Sequence, residues 1–342
     1  MDTTKYTAAA EEYMTRLKFR NLSPHTLTNY AKTLRLFGDF LEAFEGDDLY
    51  DAVMAWQAEL MRSGRAPSTV NQYLCVLNIF FDKATKRSFP KDLRFSENPV
   101  DTSEAPKVVS RPYDELLTDE QVISLLKNEP PVGAKKSLWA RNYAILMILL
   151  GTKIRNAELL DLRLCDIDFA ESTLFVASGK GRKARLLDMD DLVANSIRQY
   201  LASGSRPEGL SPNDYLFGTF AEKERGGRRF GATWHRGSSQ WLSDIVRRTV
   251  LAKVGTDNIR SHDLRHIGSR LSLNAGASME QLQGELGHSS FSLIERYAGR
   301  LQARHKRASA REVLAARDVA AKDLETKLNS ADAAHRKKWE TA

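Results

Sequence analysis

Through the first hundred residues apolar side chains recur every three to four positions, the spacing that gives a helix one buried face. The clearest run is Leu27, Tyr30, Ala31, Leu34, Phe37 and Leu41. It follows Ser23-Pro24, an N-cap hydroxyl with a proline at the first helical position. The pattern predicts a shorter helix over Tyr6–Leu17 and another over Leu49–Met61, closed by Ser63-Gly64. Pro67-Ser68 opens a fourth, with Val70, Tyr73, Leu74, Leu77, Phe80 and Phe81 on its face. These aromatics read as core. The other faces carry Lys18, Arg20, Lys32, Arg35, Lys83, Lys86 and Arg87, as solvated charges or as phosphate contacts.

From Asn98-Pro99 to Pro112 the period breaks amid prolines, small residues and charges, which predicts an inter-domain linker. Helical spacing returns over Thr118–Lys127, Leu138–Leu150 and Glu158–Leu162. Two short strands, Thr173–Ala177 and Ala184–Leu187, are predicted around the turn Ser178-Gly179-Lys180-Gly181. From Leu192 onward helices are expected to dominate. The last stretch, Arg307 to Lys338, is charged but aligns Val313, Ala316, Ala320, Leu324 and Leu328 on one stripe. Such a helix either lies on its own domain or docks in trans on a neighbouring protomer. The expected organisation is a helical domain over 1–100, a linker over 101–112, a second domain over 113–305 and a tail over 306–342.

Composition narrows the class. The 342 residues suit two domains, and 42% are hydrophobic, enough for a sizeable core. Lys and Arg number 51 against 44 Asp and Glu, a formal charge of +7. That balance favours a polyanionic partner, nucleic acid before membrane surface. Cys75 and Cys165 sit in apolar-rich stretches and read as buried free thiols of a reducing compartment. No Cys or His cluster has zinc spacing. The opening residues do not read as a secretory signal, and the longest apolar run, Ala144 to Leu150, is too short to cross a bilayer. A soluble, cytoplasmic protein is expected.

The candidate chemistry lies in the second domain. His262-Asp-Leu-Arg265 places a His and an Arg on one helical face, able to meet the same anion. Further on, Leu286-Gly-His288-Ser-Ser leads into a helix ending in Glu-Arg-Tyr297. Together these resemble the C-terminal signature of the tyrosine recombinase (phage integrase) family. Upstream, Thr152-Lys153-Ile154-Arg155-Asn156-Ala157-Glu158-Leu159 is similar to the family's first-arginine box. Gly179-Lys180-Gly181-Arg182-Lys183-Ala184-Arg185-Leu186 resembles its lysine-bearing β-hairpin, and Asn21-Leu-Ser-Pro-His-Thr-Leu-Thr-Asn-Tyr30 its helical core-binding domain. Each motif alone is modest, but five occur in the family's order and spacing.

The resemblance implies a mainly α fold with a small β-hairpin or sheet: a helical N-terminal core-binding domain and a mixed α/β catalytic domain, forming a two-domain clamp around duplex DNA. It implies Tyr297 as nucleophile and Arg155 and Arg265 as planar donors to the phosphate oxygens, where negative charge develops. Lys180 is implied as general acid, with His262 as acid–base partner and His288 as a phosphate donor; Lys183 is a second lysine in the same hairpin. Glu158 is implied to orient Arg155. No metal or cofactor is called for. The implied partners are two double-stranded recombination sites and a homotetramer, with accessory DNA-bending or directionality proteins as further candidates; no membrane is involved.

The family usually has Gly-Leu before the first Arg, where this chain has Lys153-Ile154, and often an apolar residue where it has Gly284 and Glu285 before Leu286, a difference that reads as unremarkable. A nucleotide-binding loop is excluded because Gly179-Lys-Gly lacks the required spacing. Asp166 and Asp168, the nearest candidates for a metal-dependent nuclease, read better as a solvated loop. The remaining alternatives are type IB topoisomerase-like strand relaxation, against which the N-terminal helical domain argues, and a non-cutting DNA-binding regulator, which loss of Tyr297 or an Arg would support. Neither residue is lost.

Overall fold

A computed structural model describes residues 3–20, 22–108, 116–177, 184–225, 228–287 and 307–340. The chain divides into two units, Met1–Ser110 and Arg111–Ala342. The first is built from helices α1 (Thr3–Lys18), α2 (Pro24–Ala43), α3 (Leu49–Arg62) and α4 (Pro67–Ala84). Ser23 caps α2, its hydroxyl accepting the Thr26 N–H at 3.1 Å, and Asp48 caps α3 by accepting from Asp51. The aromatic face predicted for α4 is core: Phe80 and Phe81 are fully buried, and the Tyr6 ring meets Phe37 and Phe80 edge-on at 5.4 and 5.6 Å. The Tyr6 hydroxyl donates to the Leu34 carbonyl, so the ring is buried without stranding its polar end. The proline-rich stretch after α4 starts out packed on this unit, with Gln57 donating to the Glu104 carbonyl and Asn71 to that of Pro106.

The second unit is organised around α6 (Lys136–Thr152), which follows the short α5 (Asp119–Leu126). Ala144 to Leu150, the longest apolar run, is buried all round, which explains why it shows no polar face. After α7 (Asn156–Asp161) come β1 (Ile167–Asp168), β2 (Thr173–Val176) and β3 (Arg185–Asp188), an antiparallel sheet in that order. Val176 pairs with Arg185 and Leu174 with Leu187, so Leu174, Val176 and Leu187 face inward. The turn carrying Lys180 lies outside the described residues. Next come α8 (Asp191–Ala202), β4 (Gly218–Arg225), β5 (Arg228–Arg236), α9 (Ser239–Val254), α10 (Ser261–Asn274), α11 (Met279–Leu286) and α12 (Arg307–Glu340). Helices α8, α9 and α10 all pack on α6. No helix of the described residues is long and apolar enough to cross a membrane.

Two expectations need correction. The hairpin β4–β5 interrupts the region expected to be helical, its strands joined in antiparallel register with Phe220 opposite Trp234. Its sequence is dominated by charges and glycines, which mask the two-residue alternation of a strand. Strand β1 was also unanticipated, because two residues are too few to show a period. Both cysteines are free but exposed rather than buried. Cys75 points outward from α4 between buried neighbours, showing that an apolar stretch of sequence is not a single helical face. The apolar stripe of the tail is occupied in cis: Val313, Ala320 and Leu324 are buried with Ala321 against the rest of the unit, α12 lying on α5 and α8.

Candidate functional site

Four segments distant in sequence meet where α6 ends. Lys153 terminates α6 in the left-handed conformation at φ 56°, turning the chain so that Arg155 becomes the N-cap of α7. A lysine there carries roughly 1 kcal/mol of strain that glycine would avoid. Helix α10 crosses beside this turn at Gly268, where a Cβ would overlap the Leu150 carbonyl oxygen and crowd the Lys153 stem. Asn156 donates to the Ser261 hydroxyl at 2.6 Å, tying the start of α7 to the start of α10.

Arg265, on α10, is only 2% exposed; its guanidinium donates to the Lys153 carbonyl and, at 2.8 Å, to that of Leu286 at the end of α11. Arg155 keeps 22% of its side chain exposed. It donates to Glu158 at 2.9 Å and to the Gly287 carbonyl at 3.4 Å. Both arginines are thus held against the two residues that precede His288. The last carbonyls of α11 have no partner within their own helix, and the negative end of the helix dipole favours cations there.

Glu158 is the hub. Its side chain is 8% exposed and accepts from the Arg155 side chain and backbone N–H and, at 3.1 and 2.8 Å, from both terminal nitrogens of Arg185. Burial alone would raise its carboxyl, but the bonds from Arg185 and Arg155 outweigh that and hold it down at about 2. His262 lies one helical turn before Arg265, its ring 4.6 Å from that of His266. Burial, then the charge of Arg265 and that of Arg155, lower its pKa against the opposing pull of Asp263, so the ring is neutral at pH 7 and able to accept a proton.

The fold therefore brings together Arg155, Glu158, His262 and Arg265. Lys180, His288 and Tyr297 lie outside the described residues. Three participants carried no assigned role at the level of sequence. Arg185 ties β3 to Glu158 and donates through Nε to the Glu285 carbonyl at 2.9 Å. Its signal was a charge sharing the inward face of β3 with Leu187, a position that demands a buried acid. Lys153 and Glu285 form an ion pair at 2.7 Å. Burial pushes the Lys153 ammonium down while Glu285 holds it up. Among the described residues this junction gathers four basic side chains, Lys153, Arg155, Arg185 and Arg265, around two carboxylates, Glu158 and Glu285. The Lys153 ammonium is taken up by Glu285, and it is Arg155, still partly exposed, that leaves the junction able to meet an anion and stabilise charge developing on it.

Comparison with known proteins fixes the family. The model described as "Phage integrase family" matches residues 115–304, and "Phage integrase, N-terminal SAM-like domain" matches 10–91. The chain belongs to the phage integrase family of tyrosine recombinases. It is 30% identical to the tyrosine recombinase XerC of Oceanobacillus iheyensis over 286 residues, covering 81% of this chain and 86% of that one. Two solved structures share its fold. The integrase of transposon Tn1549, bound to transposon right-end DNA, has a TM-score of 0.62 at 17% identity, with 88% of this chain and 99% of that one covered. The XerH site-specific recombinase, bound to its difH substrate, has a TM-score of 0.59 at 18% identity, with 89% and 83% covered.

Proposed function

We propose that this chain is a site-specific recombinase that cuts and rejoins duplex DNA through Tyr297. The observation that carries the reading is the convergence of Arg155 and Arg265 on the carbonyls of Leu286 and Gly287, the residues leading into the segment that bears His288 and Tyr297. The Tyr297 hydroxyl gives its proton to His262, and its oxygen bonds to the scissile phosphorus. The bond from phosphorus to the 5′-oxygen breaks, and Lys180 supplies the proton that the leaving oxygen needs. The products are a 3′-phosphotyrosine and a free 5′-hydroxyl. Because the covalent link keeps the phosphodiester energy, a 5′-hydroxyl can reverse the step without any external energy source.

Arg155 and Arg265 donate to the non-bridging oxygens as negative charge builds on them. His262, whose pKa burial and the neighbouring arginines lower, is suited to proton exchange with the nucleophile, and His288 donates to the phosphate. Glu158 holds Arg155 in place and does no chemistry itself. In this reading residues 1–100 form the core-binding domain, 101–112 the linker and 113–305 the catalytic domain; the extents of the two family matches support that division. Two DNA sites and four protomers form the synaptic complex, two protomers cut at a time, and a Holliday junction links the two exchanges. The XerC-type relative and the DNA-bound structures that share the fold support duplex DNA as the partner.

The decisive experiment is covalent trapping. Nicked duplexes from the protein's own genomic neighbourhood are incubated with it in EDTA, and SDS-resistant protein–DNA adducts are scored against Tyr297→Phe. Wild type is expected to form the adduct and Tyr297→Phe to bind the same duplex without forming it. An adduct on Tyr297→Phe would move the nucleophile elsewhere, and specific binding without any wild-type adduct would favour a non-cutting regulator.

A further inference from the structure

Lys153 and Glu285 lie 132 positions apart in sequence and meet in the fold. Lys153 Nζ donates to Glu285 Oε2 at 2.7 Å and to the Gly151 carbonyl at 3.0 Å. The lysine is 5% exposed, its stem passing over Gly268 of α10, whereas the Glu285 side chain is more open. A charge buried this deeply persists only with a partner, and Glu285 is that partner.

The helix that receives this contact has a light apolar anchor among the described residues. The apolar grip of α11 among the described residues is a small cluster of its own, Leu282 and Leu286 with Leu273 and Met279, separate from the large core around α6. Among the described residues polar contacts gather at its C-terminal end, where Arg185, Arg265 and Arg155 donate to the successive carbonyls of Glu285, Leu286 and Gly287. Those contacts hold the backbone of α11, and the Lys153–Glu285 pair adds a hold on one of its side chains. It also runs from the residue whose carbonyl Arg265 grips and whose turn delivers Arg155.

We infer that Lys153 and Glu285 are positioning residues, an ion pair that fixes the end of α11, and with it the start of the segment bearing His288 and Tyr297, against the two arginines. This rests on the assignment of Tyr297 as nucleophile. Glycine in place of Lys153 would relieve the backbone strain of the left-handed turn, and the pair is what the lysine provides in exchange.

The test uses the full chain with Lys153→Met, Glu285→Gln, the two combined, and Lys153→Arg. Two quantities are read: amide exchange across residues 279–287, and single-turnover adduct formation on the nicked duplex found by covalent trapping, with binding of that duplex measured alongside. Lys153→Met and Glu285→Gln are each expected to slow adduct formation by about tenfold to a hundredfold, the scale of a misplacement remote from the chemistry, at unchanged duplex affinity. Exchange at the end of α11 should quicken while that of α6 and α10 holds. The combined variant should be no worse than the more damaged single one, and Lys153→Arg should regain most of the rate.

Glu285→Gln strands a buried ammonium and is the variant at risk of misfolding. Lys153→Met removes that charge and leaves Glu285 to water, so it keeps the test decisive. Wild-type adduct rates in Lys153→Met, or losses that simply add in the combined variant, would overturn the inference. If wild type forms no Tyr297-dependent adduct, the assignment of the nucleophile fails instead. Amide exchange then judges the pair alone: unchanged exchange in Lys153→Met overturns it, and faster exchange confined to α11 supports it.

Discussion

A carboxylate that faces two guanidinium groups and a backbone N–H, while almost wholly removed from water, has a measurable pH signature. The Glu158 carboxyl is held at about 2 in the folded chain, against 4.5 for the ordinary group. The folded state therefore binds this proton less readily than the unfolded chain does. The resulting stabilisation is fully present above pH 4.5 and is lost as pH falls from there through 2; the gap corresponds to about 3 kcal/mol. Glu158→Gln should lower the unfolding free energy at pH 7 by about 3 kcal/mol, since it also leaves Arg185 buried without its anion. Denaturant unfolding of both proteins from pH 7 down to 2.5 checks this. The difference should be constant down to about pH 4.5 and then narrow, and a difference independent of pH would mean that Glu158 is not the charged partner of these arginines.

Between elements, the contact that sets the site is the crossing of α6 and α10. Gly268 is required there because the Leu150 carbonyl oxygen occupies the space a Cβ would take, and this is backbone that cannot turn aside. Gly268→Ala should part the two helices and cost about 2 kcal/mol, as overpacking does. Because Arg265 sits one turn before Gly268 and holds the Lys153 carbonyl, adduct formation should fall as well; an alanine variant with wild-type stability would show that the helices can slide without loss. How much of this was legible beforehand depends on range. Arg155 with Glu158, and His262 with Arg265, are spaced one helical turn apart, so the sequence displays each pair directly. The caps at Ser23 and Thr118 are similarly local. Arg185 meeting Glu158, and Lys153 meeting Glu285, are contacts made by the tertiary fold, and no periodicity reports them. Hairpin β4–β5 was hidden differently: its one clear sign, Gly226-Gly227 between two candidate strands, sits among charges that resemble a solvated helix face.

For the molecule as a whole, the question the sequence left open is where the apolar stripe of the tail goes. In the free chain α12 is seated on its own unit, with Leu324 fully buried, Val313 nearly so, and Arg317 paired with Asp190 at the N-terminus of α8. Truncating a leucine so placed leaves a cavity, and Leu324→Ala should cost about 2–4 kcal/mol. A helix seated in cis and one borrowed from a second copy predict that same loss but differ in mass action, because contacts between copies strengthen with concentration. We therefore expect the Tm of the DNA-free wild type, and the drop caused by Leu324→Ala, to be unchanged over a hundredfold range of protein concentration. A Tm that climbs with concentration in wild type and not in Leu324→Ala would place the stripe on a neighbour instead. The cis outcome has a mechanistic consequence: any transfer of the tail to another protomer during synapsis would first have to uncover α5 and α8, so that assembly would proceed only where DNA holds the receiving copy close by.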